Sequence, residues 1–193
     1  MIRCVIAVCA LVLPVGAAAQ GHSHFPYAGN ETRAIKSLSD ADLADLSAGR
    51  GWGFALAAEL NGVLGPAHLL ELKDQIGLTP TQVTTLEALF ARMQAEAQAA
   101  GQRFIAAEAA IEQAFRTKDL TPEHLRHLIT VAAEARAELR FVHLARHLDT
   151  LPVLTAGQIA RYNVLRGYRA DDPCLTVPEG HDPALWRRHN NCR

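Results

Sequence analysis

From Val83 to Phe115 the apolar residues recur at steps of three and four. Val83, Leu86, Phe90, Met93, Ala97, Ala100, Phe104, Ala107, Ile111 and Phe115 form one stripe at the helical period. The pattern predicts a single helix from Pro80 to about Thr117, on the order of 55 Å long at 1.5 Å per residue. A second begins with Thr121 as cap and Pro122 at its first position, and runs to about Asp149 with the stripe Leu125, Leu128, Ala132, Ala135, Leu139 and Val142. Only Lys118-Asp119-Leu120 separates the two, which predicts an antiparallel helical hairpin. The many alanines at facing positions permit close backbone approach. A hairpin of that length cannot bury both its faces alone, so either shorter helices or a second subunit must cover it.

The shorter helices are legible on both sides. Ser39 caps a helix over Asp40–Ser47, stopped by Gly49, and Phe54–Leu60 forms another before Asn61-Gly62. A third starts at Pro66, carries His68, Leu69, Leu72 and Ile76, and ends at Gly77; a last one covers Ala156–Tyr168. Gly49-Arg50-Gly51-Trp52-Gly53 lacks the lysine and strand context of a phosphate loop and reads as a turn. No strand pattern emerges, and the fold class is all-α.

The amino terminus reads as an export signal. Arg3 is followed by an apolar run from Cys4 to Val15, then by Gly16-Ala17-Ala18-Ala19, a small-residue cleavage site. The run is shorter than the roughly 20 residues a membrane span needs. Residues 1–19 are therefore expected to leave as a signal peptide, cut after Ala19, and no other stretch is apolar enough to span. Residues 20–37 are polar and without period, the pattern of a mobile arm; 38–170 form the helical domain and 171–193 a tail. Losing Arg3 leaves 18 of the 19 basic residues against 20 acidic ones, a net charge of −2 with no footprint for nucleic acid.

Two of the four cysteines leave with the signal. In an oxidising compartment the remaining Cys174 and Cys192 most simply pair, closing the tail. A zinc site using these thiols with His181 or His189 is the competing arrangement.

One short pattern occurs twice: Leu78-Thr79-Pro80-Thr81-Gln82 and Leu154-Thr155-Ala156-Gly157-Gln158. Each reads LTxxQ before a helical stretch. Thr79 and Thr155 are N-cap residues, and Gln82 and Gln158 stand where a capping-box partner belongs. Leu78 with Val83, and Leu154 with Ile159, have the spacing of a hydrophobic staple. The doubled motif in an exported helical chain resembles the Spy/CpxP family of periplasmic stress proteins, which includes chaperones and heavy-metal sensors. The likeness covers about Leu72 to Tyr168. It implies a periplasmic, ATP-independent chaperone or envelope-stress modulator that binds unfolded or sensor proteins of the cell envelope. It also implies a homodimer of interlocked hairpins. Arg92, Arg103, Arg136 and Arg140, interleaved with the alanine-rich stripes, are the candidates for a client-binding face. The weakly acidic balance, the long amino-terminal segment and the cysteine-closed tail depart from the family pattern.

The chemistry-bearing residues give no enzyme signature: there is no G-x-S-x-G and no H-E-x-x-H. The chain reads as a non-enzyme with no required cofactor. A divalent transition metal (Zn, Ni, Co or Cu) is the alternative. His143 and His147 stand four apart on one helix face, a spacing that lets two imidazoles share an ion. His68, Glu71, Glu59 or Asp149 would have to supply a third ligand. The competing reading places the two histidines near a helix C-terminus, where they favour the dipole and pack on neighbours. Metal-sensing relatives use a similar pair with His and Glu from an earlier helix, so the resemblance implies a heavy-metal sensor as the second function. His124 and His127 point elsewhere and mark a separate surface site. If cleavage follows Ala19, the amino-terminal Gln20-Gly21-His22 supplies an amine, two amides and an imidazole, a square-planar set for Cu(II) or Ni(II).

Overall fold

The computed structural model of the 193-residue chain describes residues 27–118, 120–169, 174, 177, 180–190 and 192. The segment read as a signal peptide and the Gln20-Gly21-His22 terminus read as a Cu(II) or Ni(II) site lie outside the described residues. The chain divides into two units, Met1–Thr32 and Arg33–Arg193. In the first, a 3-10 turn over Asn30–Thr32 is closed by Glu31, whose Oε2 accepts from the Gly29 N–H at 2.7 Å.

All regular structure among the described residues of the second unit is helical. Its elements are α1 (Asp40–Ser47), α2 (Leu56–Glu59), α3 (Pro66–Glu71), α4 (Pro80–Thr117), α5 (Pro122–Thr150), α6 (Ala156–Leu165) and α7 (Pro183–His189), with a 3-10 turn over Leu151–Val153. The long pair α4 and α5 forms the expected hairpin, with the short helices flanking it. Proline stands in the first turn of α3, α4, α5 and α7, where a missing N–H leaves no bond unmade. Lys118 ends α4 in the left-handed region, at φ 57°. No helix among the described residues is long and apolar enough to cross a membrane.

Two apolar cores lie along this unit. The first joins Ile35, Leu38 and Leu46 to Met93, Ala97, Ala100 and Phe104 of α4 and to Leu139 and Val142 of α5, with Phe54 among them. Small residues set its spacing. A Cβ at Gly101 would overlap the Leu46 carbonyl oxygen, and one at Gly49 would fall 2.8 Å from the Gln94 carbonyl oxygen. Helix α1 therefore lies directly on the α4 backbone, and only glycine permits that approach. The second core gathers Leu64, Leu69, Ile76, Leu86 and Tyr162, with Leu78, Leu154 and Ile159 packed against it.

The doubled motif explains how the second core is closed. Both capping boxes form: Thr79 and Thr155 accept from the N–H of Gln82 and Gln158, whose Oε1 atoms accept from the threonine N–H groups at 2.9 and 3.0 Å. The two glutamines also bond each other. Gln82 Nε2 donates to Gln158 Oε1 at 2.9 Å, and Gln158 Nε2 donates to Gln82 Oε1 at 3.0 Å. Each amide then gives its second proton to the carbonyl just before the other motif: Gln82 to Val153 at 2.7 Å, Gln158 to Gly77 at 3.1 Å. The arrangement is a near-symmetric amide clasp. It ties the start of α4 to the start of α6 and satisfies both side chains completely.

Several boundaries differ from those the pattern predicts. The arm read over 20–37 is already anchored at its end: Ile35 and Leu38 are core residues, Lys36 Nζ pairs with Glu112 at 2.7 Å, and the Ser37 hydroxyl donates to Glu108 at 2.6 Å. A lone apolar pair three apart carries no period, so the sequence gives no sign of it. Helix α2 is shorter than 54–60, because Phe54 leaves the helix to fill the first core. Helix α3 ends at Glu71, with turns carrying the chain to Gly77. Phe115 is 58% exposed while Ala114 is buried. The Cys174–Cys192 disulfide closes the tail, taking both thiols that a zinc site would need. Between them stands α7, absent from the sequence reading although Asp182-Pro183 is a cap and first-turn pair.

Candidate functional site

A chain of buried polar groups runs from one core to the other. The periodic placement of α5 points His143 and His147 inward, leaving them 2% and 6% exposed. The His143 ring stacks on Phe54, at 6.4 Å between centroids and 29° between planes, and its Nε2 has no hydrogen-bond partner. Burial holds the imidazole below its usual pKa range, and neighbouring His147 adds to the effect. Both effects favour the neutral form of the ring.

His147 is fixed from the other side. Its Nδ1 stands 2.6 Å from the Val63 carbonyl oxygen, which assigns the proton to that nitrogen. The ring lies against Gly65, where a Cβ would fall 2.5 Å from Nε2. Thr150 Oγ1 reaches the Leu64 carbonyl at 2.6 Å, so the last turn of α5 grips the 63–65 loop at two points. Glu59, 5% exposed, completes the chain. Its Oε1 accepts from the Tyr162 hydroxyl, its Oε2 accepts from the Gly65 N–H at 3.3 Å, and His147 Nδ1 is 3.9 Å away. Burial pushes the Tyr162 phenol well above its ordinary pKa, with the Glu59 bond adding.

His143, His147, Glu59, His68 and Glu71 all border one pocket of about 470 Å³. These are the five residues that the sequence offered as a ligand set. Their geometry does not make a ligand set. His68 pairs with Glu71 at 3.0 Å where both are solvent-exposed. Among the described residues no three His, Cys, Asp or Glu side chains gather closely enough to hold a metal ion. The 49–53 turn also borders the pocket, and no sequence signal marked it as part of a site. Trp52 sits there at φ 43°, its Nε1 donating to Asp42 at 2.8 Å. Bonds from Ser39 and Trp52 hold the Asp42 carboxyl below the usual range.

The four arginines read as one face separate. Arg92 and Arg103 line a groove between α4 and α5 with Glu96, Glu138, Phe141 and Arg146. Arg92 pairs with Glu96 at 2.8 Å, and Arg146, 8% exposed, reaches Asp149 at 2.8 Å. Arg136 belongs elsewhere, its guanidinium 5.3 Å from the Phe54 ring centroid and 6.0 Å from that of Trp52. Arg140 is exposed, as are His124 and His127. Beside the groove, α5 presents Phe141 and Leu148 at 63% and 60% exposure, followed by Leu151 at 42%. Ala133, Ala137 and Leu144 stand in the same row at steps of three and four, with only Leu144 partly covered.

No protein-family model, curated protein or solved structure matches the chain.

Proposed function

We propose that this chain is an exported all-α holding protein of the LTxxQ type, which binds non-native or partner proteins of the cell envelope without ATP and works as a homodimer. The observation that carries the reading is the outer row of α5. Phe141 and Leu148 on α5 and Leu151 in the turn that follows are large, apolar and exposed. Charged groups rim the row: Arg92, Arg103, Glu96 and Glu138 border Phe141. Apolar contact within a charged rim gives weak, promiscuous and reversible binding, which is what holding an unfolding chain requires. The doubled LTxxQ motif, its export signal and the hairpin support the same class of protein. Among the described residues no third His, Cys, Asp or Glu gathers with the His143–His147 pair, which supports the holding role over metal sensing.

The test is suppression of light scattering by an unfolding client at near-stoichiometric ratio, without nucleotide. The parent should suppress aggregation, and Phe141→Ser with Leu148→Ser should lose most of that effect while keeping the parent's helical circular dichroism. A parent no better than an inert control would overturn the reading, and an unimpaired double variant would move it off this face. Sedimentation of the parent checks the dimer.

A further inference from the structure

We propose that the pocket between the 49–53 turn, α3 and α5 is a binding site for a small, uncharged aromatic alcohol. Three independent features point there, and none of them serves the outer face of the hairpin. The first is the cavity itself. At about 470 Å³ it has the size of a ligand site, and Trp52, Leu56, Phe90 and Met93 give it aromatic, aliphatic and thioether walls.

The second is an unmet polar group in the wall. His143 is 2% exposed, and its Nε2 has no partner. Buried polar atoms without partners are few in native proteins, and each asks for an explanation. A neutral imidazole offers one donor and one acceptor, and a hydroxyl matches either. The polar groups nearest His143 in the wall have partners of their own. Glu59 is bonded to Tyr162 and Gly65, and His147 to Val63. Arg50 and His68, which also line the pocket, pair with Asp45 and Glu71. The charged groups of the wall thus have partners within the protein, and the site favours an uncharged ligand.

The third is the rim. Trp52 takes a left-handed backbone conformation, φ 43°, between Gly51 and Gly53, and bulky residues rarely do so. It is held there by the bond to Asp42 and by Arg136 above its ring. Strain kept in place by surrounding contacts is characteristic of ligand clamps. A hydroxyl seated at His143 would lay its ring among Trp52 and Phe90, which line the same pocket.

The experiment is isothermal titration of the full mature chain with 1-naphthol as the probe, set against naphthalene and 1-naphthoate. The expected result is saturable binding of one 1-naphthol per chain, with naphthalene and 1-naphthoate each at least tenfold weaker. His143→Phe should weaken 1-naphthol at least tenfold. Ala67→Phe, which fills the mouth and leaves His143 in place, should abolish binding without lowering the melting temperature. Absence of saturable 1-naphthol binding, binding that survives Ala67→Phe, or equal affinity for naphthalene would each overturn the proposal. The last comparison uses the parent protein alone, so it decides even if His143→Phe does not fold.

Discussion

Replacing Gln82 by glutamate separates the two roles of the LTxxQ glutamine. Glutamate serves as well as glutamine in a capping box, so the start of α4 keeps its local bond to the Thr79 N–H. The tertiary role is lost. Gln82 Nε2 donates to Val153 at 2.7 Å and to Gln158 Oε1 at 2.9 Å, and a carboxylate oxygen in that place would face two acceptors. Two hydrogen bonds at about 1 kcal/mol each, with the penalty of opposed acceptors, give a destabilisation on the order of 2–3 kcal/mol. Urea unfolding followed by circular dichroism at neutral pH measures it directly. The deficit should narrow as pH falls through about 4.3, where a protonated carboxyl regains a donor. Alanine at both glutamines adds a second check. Each makes four hydrogen bonds and shares two with the other, so the double variant should be less destabilised than the singles together, by about 2 kcal/mol. Thr79→Ala and Thr155→Ala touch only their own helices and should add. A Gln82→Glu variant within about 0.5 kcal/mol of the parent would refute the clasp and leave Gln82 as a local cap.

The other predictions concern the interior. Gly101→Ala should lower the melting temperature despite alanine's roughly 1 kcal/mol better helix propensity, because its Cβ meets the Leu46 carbonyl and overpacking costs about 1–3 kcal/mol; an unchanged or higher midpoint would show that α1 moves aside freely. Tyr162→Phe removes the hydroxyl that donates to buried Glu59 and should cost roughly 1–3 kcal/mol in denaturant unfolding, whereas a neutral result would mean that water or His147 replaces the bond. His143 has its folded-state pKa lowered by burial from 6.5, so below that value the unfolded chain binds more protons and the fold loses stability. The loss approaches about 1.4 kcal/mol per pH unit for one proton. His143→Phe should flatten the stability–pH curve just below about 6.5; an unaltered slope would assign the acid sensitivity to other groups.

Much of this protein is local in origin and was therefore legible. Helix periods repeat every three or four residues, and capping boxes close over three, so α1, α4 and α5 could be read closely from the chain, as could the threonine caps and the hairpin turn. The same period sets His143 and His147 on one face of α5, while their burial depends on what packs against it. The Cys174–Cys192 pairing and the balanced charge likewise follow from composition and order.

What tertiary structure alone decided are the partners of those residues. The sequence placed two identical glutamines at two helix starts, and packing of α3, α4 and α6 brought them together across 76 residues. Tyr162 reaches Glu59 across 103 residues, and His147 reaches Val63 across 84. The same packing drew Arg136 over the Trp52 turn and away from Arg92 and Arg103, and left a pocket beside His143. A helical repeat fixes the direction in which a side chain points. Only the mutual fit of helices, set here by glycines at 65 and 101 that let backbones and rings approach, determines what it meets.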